Sequence, residues 1–362
     1  MSNFVAQMMT LHVFNPEHDL ALAAHLANYT APHAGRQLRA DLGYIPALWA
    51  AETDVVLVEN VADAERRFRI LVRRPFNRFV TKEQLAQLAL TRVEVWGWDL
   101  AIRAFLMRHG VSSQLMPTVT QIDTIRQLSH RQEALHLLAQ LQGQGVVGEM
   151  VMADGLEAVK QQVDQWGKVV VKAPWSSSGR GVRFLDNRLT VQDEGWIQHV
   201  IQRQGHVMVE PHYAKVKDFG MEFSCDEQGQ VSYLGLSLFH TSNGAYTGNI
   251  LADEELKTEW ISRYIPVDLL QSVQQMICHH LSDILKGAYI GPFGVDMMVV
   301  AREDQQGFWL HPCVEINLRR TMGHVALSLT SLVKGQPQVM AIDYHNIYKL
   351  RLQKLYLNNP IV

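Results

Sequence analysis

Cysteine is scarce in this chain. Only three occur in 362 residues, Cys225, Cys278 and Cys313, an odd number spread far apart. They form neither a disulfide framework nor a Cys-x-x-Cys zinc pair, and a reducing cytoplasm is the expected home. Long apolar runs are missing as well. No stretch approaches the ~20 residues of a membrane helix. The start, MSNFVAQMMTLHVF, lacks the positive n-region and long apolar core of a secretory signal. Positive charge is not in excess either. Lys and Arg number 33 against 36 Asp and Glu, a formal net charge of −3 that offers nothing to nucleic acid. Repeats and low-complexity tracts are absent. The remainder is 47% hydrophobic and 19% charged, ordinary for a soluble enzyme with roughly two or three domains. This composition is compatible with a homo-oligomer.

The apolar pattern divides the chain. Leu11–Phe14, Asp54–Val58 and Val93–Trp96 read as short buried strands. Helical patterns at Gln84–Leu90 and Asp99–His109 alternate with them, which predicts a parallel α/β unit ending near Met116-Pro117-Thr118. Thr120–Leu128, Ser129–Gln142 and Leu156–Trp166 are helical in period, with Ser129 placed to cap the second. Lys168–Lys172 and His206–Glu210 predict strands, and Phe219–Asp226 with Val231–Phe239 a hairpin. Val267–Leu285 is a long amphipathic helix. Gly294–Ala301 and Phe308–Leu318 form a second strand pair around the turn Arg302–Gly307, and Asp343–Val362 reads as a helix with a frayed end.

Two stretches carry chemistry. The first is VVVKAPWSSSGRGVRFL, Val169–Leu185. A P-loop needs its lysine after the glycines and a helix to follow, whereas Lys172 precedes them and GVRFL alternates like a strand. A Rossmann fingerprint fails for the same reason. A glycine-rich hairpin still suits phosphate: Gly179 and Gly181 let the backbone approach, Ser176, Ser177 and Ser178 add hydroxyls, and Lys172 adds a point charge. An unliganded surface hairpin is the other reading of the same residues.

The second stretch is GPFGVDMMVV with HPCVEINLRR. Asp296 interrupts an apolar strand, where a carboxylate is costly unless paired or metal-bound. Glu315 and Asn317 are two apart and so share a strand face. Such oxygen donors suit Mg²⁺, with phosphates completing the octahedron. Arg319 continues the alternation with a planar fork for a phosphate or carboxylate. The competing reading is a solvent-facing edge.

Taken together, Leu128 to Asn317 resembles the ATP-grasp superfamily, whose members include D-alanine–D-alanine ligase, biotin carboxylase and glutathione synthetase. LSHRQEALHLL is similar to the helix bearing the first ATP-contacting cation, with Arg131 where lysine is usual. VVVKAPWSSSGRGV resembles the second lysine strand and its flap, HVMVEPHY the hinge, and GMEFSC the strand with a ribose-binding glutamate. GVDMMV and VEINLR resemble the metal strands. The resemblance implies ATP held by Arg131, Lys172, Ser176, Ser177, Ser178, Gly179, Gly181, Glu210, His212 and Glu222. It gives the metal (Mg²⁺, with Mn²⁺ as a substitute) to Asp296, Glu315 and Asn317, and the catalytic charges to Lys172 and Arg319.

The implied fold is α/β, α+β in the grasp part. A parallel pre-ATP-grasp domain would span 1–118, a small subdomain with the flap 119–205, and a large subdomain with the metal site 206–362. The implied reaction activates a carboxylate as an acyl-phosphate and joins it to an amine, releasing ADP and phosphate. The substrates would be small molecules or peptides. A small-molecule kinase and a non-catalytic nucleotide-binding protein are the alternatives. Outside the matched region, the loop NPEHD (Asn15–Asp19) follows the first strand, where open α/β sheets gather ligands. Glu17 and His18 are expected to meet the co-substrate amine there, unless Asn15 or Asp19 simply caps a helix. Lys215, Lys217, Asp218 and the polar, glycine-rich stretch Ser242–Asn249 are further candidates for substrate contact.

Overall fold

The computed structural model describes residues 8–76, 78–176, 181–242, 245–304, 306–333 and 335–355. Its first strand, β1 (Thr10–Val13), is short, rich in β-branched residues and buried. It lies inside a parallel sheet of order β3-β2-β1-β4, with β2 (Val55–Leu57), β3 (Phe79–Val80) and β4 (Arg92–Val95). Helices α1 (His18–Ala24), α2 (His33–Leu42), α3 (Val61–Val72) and α4 (Leu100–Arg108) connect these strands or follow them. Asp99 starts α4 by accepting from the Ile102 amide at 2.9 Å. The predicted helix at Gln84–Leu90 is instead a 3₁₀ segment, Lys82–Gln87, begun by a Thr81–Gln84 capping box.

After α5 (Val119–Leu128) and α6 (Arg131–Gln140) comes a small antiparallel sheet. It comprises β5 (Val151–Ala153), β6 (Lys168–Lys172), β7 (Val182–Asp186) and β8 (Val207–Pro211), in the order β5-β8-β6-β7. Helices α7 (Leu156–Trp166) and α8 (Val191–Gln204) supply Val159, Val163, Ile197 and Val200 to its core, against Val169, Val171, Val207 and Val209. Alternation along the strands therefore turns Lys172 and Glu210 to the opposite face. Ser129 does not cap α6: its hydroxyl donates to the Ile125 carbonyl, and His130 Nδ1 accepts from the Gln132 amide instead.

The large sheet has seven strands in the order β13-β12-β9-β10-β11-β14-β15. They are β9 (Lys215–Cys225), β10 (Val231–Ser242), β11 (Ala245–Leu251), β12 (Gly291–Ala301), β13 (Phe308–Asn317), β14 (Gln338–His345) and β15 (Ile347–Lys354). The β9–β10 hairpin turns where the sequence places it, Val231 pairing with Cys225. Two helices, α9 (Glu254–Ser262) and α10 (Val267–Leu285), follow β11. Leu270, Val273, Ile277, Leu281 and Leu285 recur every three or four residues along α10 and are buried in the main core. Each such side chain contributes about 1.5–3 kcal/mol. No helix among the described residues is long and apolar enough to cross a membrane.

The tail corrects an expectation. Asp343–Val362 does not form a helix as far as the described residues run; β14 and β15 make a hairpin, and residues 356–362 lie outside the described ones. Asn346 turns it with φ of 64°, a left-handed position asparagine tolerates well. Tyr348, Leu350 and Leu352 alternate along β15 and join the core around Phe68, together with Val325 and Leu329 of α11 (Met322–Thr330). The hairpin thus binds the end of the chain to its beginning, and Asp41 accepts from the Tyr348 amide at 2.8 Å. Leu350→Ala should lower unfolding free energy by about 2–4 kcal/mol, read by denaturant titration. An effect near zero would argue for an undocked tail.

Candidate functional site

The large sheet gathers oxygen donors by register. Asp296 lies directly opposite Glu315, and Gly294 stands between Asn317 on β13 and Glu222 on β9. A Cβ at Gly294 would come within 2.7 Å of Glu222 Oε2, so glycine is what lets this carboxylate share the face. Asn317 Nδ2 donates to Asp296 Oδ2 at 3.1 Å. Burial, and then the charges of Glu315 and Glu222, push the Asp296 carboxyl up to about 7. Among the described residues no three His, Cys, Asp or Glu side chains converge as a metal cage. Two carboxylates and an amide do converge, the open oxygen set that suits Mg²⁺ completed by phosphates and water. The donor chemistry fits the metal expected from the sequence.

The cations come from other elements. Arg131, buried at the start of α6, donates through Nη2 to Glu315 Oε1 at 2.9 Å and through Nη1 to Ser176 Oγ at 2.8 Å. Lys172 forms a buried ion pair with Glu210 across β6 and β8. The flap closes tightly at its stem: the Ala173 amide donates to the Gly181 carbonyl at 2.8 Å, and a Cβ at Gly181 would overlap the Ser176 side chain. Ser177, Ser178 and Gly179 lie outside the described residues. His212 is exposed at the hinge, and its amide already donates to the Lys168 carbonyl at 2.9 Å. Glu222 is buried beside the first turn of α11, where His324 Nδ1 lies 3.0 Å from it.

Arg319 joins this site to the first domain. It donates to both oxygens of Asp19, at 2.7 and 2.8 Å, and to Asn317 Oδ1 at 2.9 Å. Burial opposes ionisation of Asp19, but Arg319 overcomes it and holds the carboxyl below its usual range. The NPEHD loop therefore divides its side chains. His18 and Asp19 line the cleft with Ser176, Glu315, Asn317 and Arg319, where the side chains leave a cavity of about 20 Å³. Glu17 turns to the other side and pairs with Arg39 at 2.7 Å. Neither Asn15 nor Asp19 caps α1, because the cap position is Glu17 and it makes no side-chain cap bond. Of the further candidates, Lys215 and Asp218 pair with each other at 2.6 Å. Of the stretch Ser242–Asn249, Ser242 ends β10 and Ala245–Asn249 belong to β11, and residues 243–244 lie outside the described ones.

Two residues emerge only in three dimensions. Asp99 lies 3.1 Å from His18 Nδ1 and fixes that ring. His311 is fully buried, neither ring nitrogen has a hydrogen-bond partner among the described residues, and burial followed by the Lys172 charge pushes it down to about 3. Asp99 carries a signal as a helix cap, whereas nothing in HPCVEIN sets His311 apart.

Neither a protein-family model nor a curated protein sequence matches this chain. Solved structures do. The biotin carboxylase domain of the Hydrogenobacter thermophilus 2-oxoglutarate carboxylase, crystallised with MgADP, ADP and bicarbonate, matches with a TM-score of 0.50 at 12% identity, over 92% of this chain and 74% of that one. Rhizobium etli pyruvate carboxylase also matches with 0.50, at 14% identity, over 92% of this chain and 31% of that one. N5-carboxyaminoimidazole synthetase from Staphylococcus aureus, complexed with ADP, gives 0.47 at 12% identity, over 92% and 82%. The chain has the ATP-grasp fold: a parallel α/β unit followed by the two antiparallel sheets.

Two predictions follow from this geometry. Lys172→Ala should weaken ATP binding at least about ten-fold and also destabilise the protein, because it strands a buried Glu210. Lys172→Ala combined with Glu210→Gln should restore thermal stability and leave ATP affinity low, measured by calorimetry. Recovery of affinity in the double variant would remove Lys172 from the phosphates. The second concerns pH. The folded-state pKa of Asp296 exceeds the value of 3.8 expected when unfolded, so its ionisation costs stability as pH rises from there through about 7. Asp296→Asn should raise the Tm of metal-free protein at pH 8 by on the order of a few °C, with no gain near pH 4. A fall at pH 8 would contradict the carboxylate crowding.

Proposed function

We propose that this protein is an ATP- and Mg²⁺-dependent ligase that activates a carboxylate as an acyl-phosphate and couples it to an amine. The observation that carries the reading is one cleft lined by Ser176, Glu315, Asn317 and Arg319, with His18 and Asp19 delivered from the first domain; Arg131 donates to its Ser176 and Glu315, and Asp296 accepts from its Asn317. Lys172 and Arg131 are the cations for the phosphates, each resting meanwhile on a carboxylate. Asp296, Glu315 and Asn317 would hold Mg²⁺, which supplies neutralisation of phosphate charge. Arg319, kept in place by Asp19, aims at the group being transferred. Phosphoryl transfer requires mostly positioning and charge, and this set provides both.

The second half-reaction needs a proton acceptor for the amine. With Asp99 accepting from Nδ1–H of His18, the Nε2 lone pair is the free acceptor. His18 lines the cleft together with Asp19, Glu315, Asn317 and Arg319, which supports its role as that base.

The reading is tested by ADP release from a panel of small carboxylates with and without amines, and by trapping with hydroxylamine. A ligase should yield the hydroxamate of one carboxylate and require the amine for full turnover. A phosphorylated alcohol without hydroxamate would make it a kinase. Nucleotide binding without turnover on any combination would leave a non-catalytic protein.

A further inference from the structure

The strand order β3-β2-β1-β4 has a consequence of its own. From β1 the chain runs outward to β2 and β3, then returns to the other side of β1 for β4. The connections leaving β1 and β4 diverge, and such a switch point opens a crevice beyond the carboxyl ends of the strands. Its rim is well braced. Asn15 Nδ2 donates to the Gly97 carbonyl at 2.8 Å and to Asp99 Oδ2 at 3.3 Å, so the two diverging loops are tied together.

Two adjoining cavities fill this crevice, of about 200 and 180 Å³, sharing Arg39, Ile102 and Phe105 as walls. The first is balanced, with Arg39 and Lys82 against Glu59 and Glu83, but the second is lopsided. Arg36, Arg39 and Arg108 face the second cavity against two carboxylates, Glu17 and Asp99. Asp99 is already committed to the Ile102 amide, Asn15 and His18. Glu17 accepts from Arg39 through Oε1, while its Oε2, on a side chain only 10% exposed, has no hydrogen-bond partner among the described residues. Among the described residues the Arg36 side chain donates to the Ala31 carbonyl and pairs with no carboxylate, and Arg108 makes no ion pair. Guanidinium donors thus outnumber their acceptors here. Ile102 and Phe105 offer an apolar wall beside them, and Arg39 lies 5.9 Å from the Phe105 ring centroid.

We propose that this crevice is a second ligand site, distinct from the nucleotide cleft, for a small molecule that carries a carboxylate or phosphate. The anion meets the fork of Arg36 or Arg108, where planar donors suit both groups. The ligand's body lies against Phe105, and a hydroxyl or amino donor on it satisfies Glu17 Oε2. Helix α1 separates the two sites: Glu17 and Ala21 line the crevice, and His18, Asp19 and Leu22 line the cleft. This inference does not depend on the ligase reading.

Binding to the full-length protein is measured by calorimetry with citrate and with glucose 6-phosphate, against sodium chloride of equal ionic strength. The two probes separate a carboxylate source from a phosphate source. Saturable binding of at least one is expected. It should weaken about ten-fold in Arg36→Gln or Arg108→Gln, each losing a charge-assisted hydrogen bond. Both side chains are exposed, so the fold should survive their replacement. Arg69→Gln, on the exposed side of α3, controls for net charge and should leave affinity unchanged. ATP affinity should stay as in the parent for all three variants. No saturable binding of either probe, or equal weakening by Arg69→Gln, would overturn the proposal. So would loss of ATP affinity in step with probe affinity, which would place the probe in the nucleotide cleft.

Discussion

The Arg319–Asp19 pair spans 300 positions of sequence, and the site depends on it. Arg319 reaches Asp19 on one side and Asn317 on the other, and Asn317 reaches Asp296. The line of contacts runs from the first loop of the first sheet to the crowded carboxylates of the large sheet. Asp19 neutralises a half-buried guanidinium that also faces Glu315 and Asp296, and those three carboxylates hold Arg319 firmly charged against the cost of burial. Arg126, whose Nε donates to the Leu22 carbonyl at 2.9 Å, and Arg320, whose amide donates to the Trp96 carbonyl at 2.8 Å, add further polar links to the first domain.

The cleft is held together by charges paired with one another. Lys172 rests on Glu210 and Arg131 on Glu315. Each cation is thereby held in place by its partner, and in the function proposed above a phosphate would displace or share that partner. Buried pairs of this kind contribute little net stability, since desolvation offsets their attraction. Their value lies in fixing side chains that a solvated surface would leave mobile. Asp296 is the counter-case, a carboxylate crowded by two others and pushed toward neutrality. That crowding is the condition under which a divalent cation gains most from binding.

Much of this was legible from local pattern. Strand–loop–strand order around Lys172 excluded a P-loop and left a hairpin, and β6 and β7 pair as that order requires. The two-residue spacing of Glu315 and Asn317 put them on one face, where Asp296 joins them. The helix assigned to the tail failed because its β-alternation, Tyr348, Leu350 and Leu352, becomes decisive only when Phe68 and its neighbours exist to cover it.

Short-range chemistry, then, was determined by the sequence: where strands and helices begin, which residues share a face, and the donor types that favour phosphate and Mg²⁺. Periodicity and capping act over a few residues, so the residues themselves declare them. The tertiary structure alone decided which distant charges meet. Nothing near Asp19 announces Arg319, and nothing near Glu17 announces that it leaves the cleft to face Arg36, Arg39 and Arg108. Those pairings follow from strand order and from the rotation of one short helix between two cavities. They are set by the closure of the whole chain rather than by any segment of it.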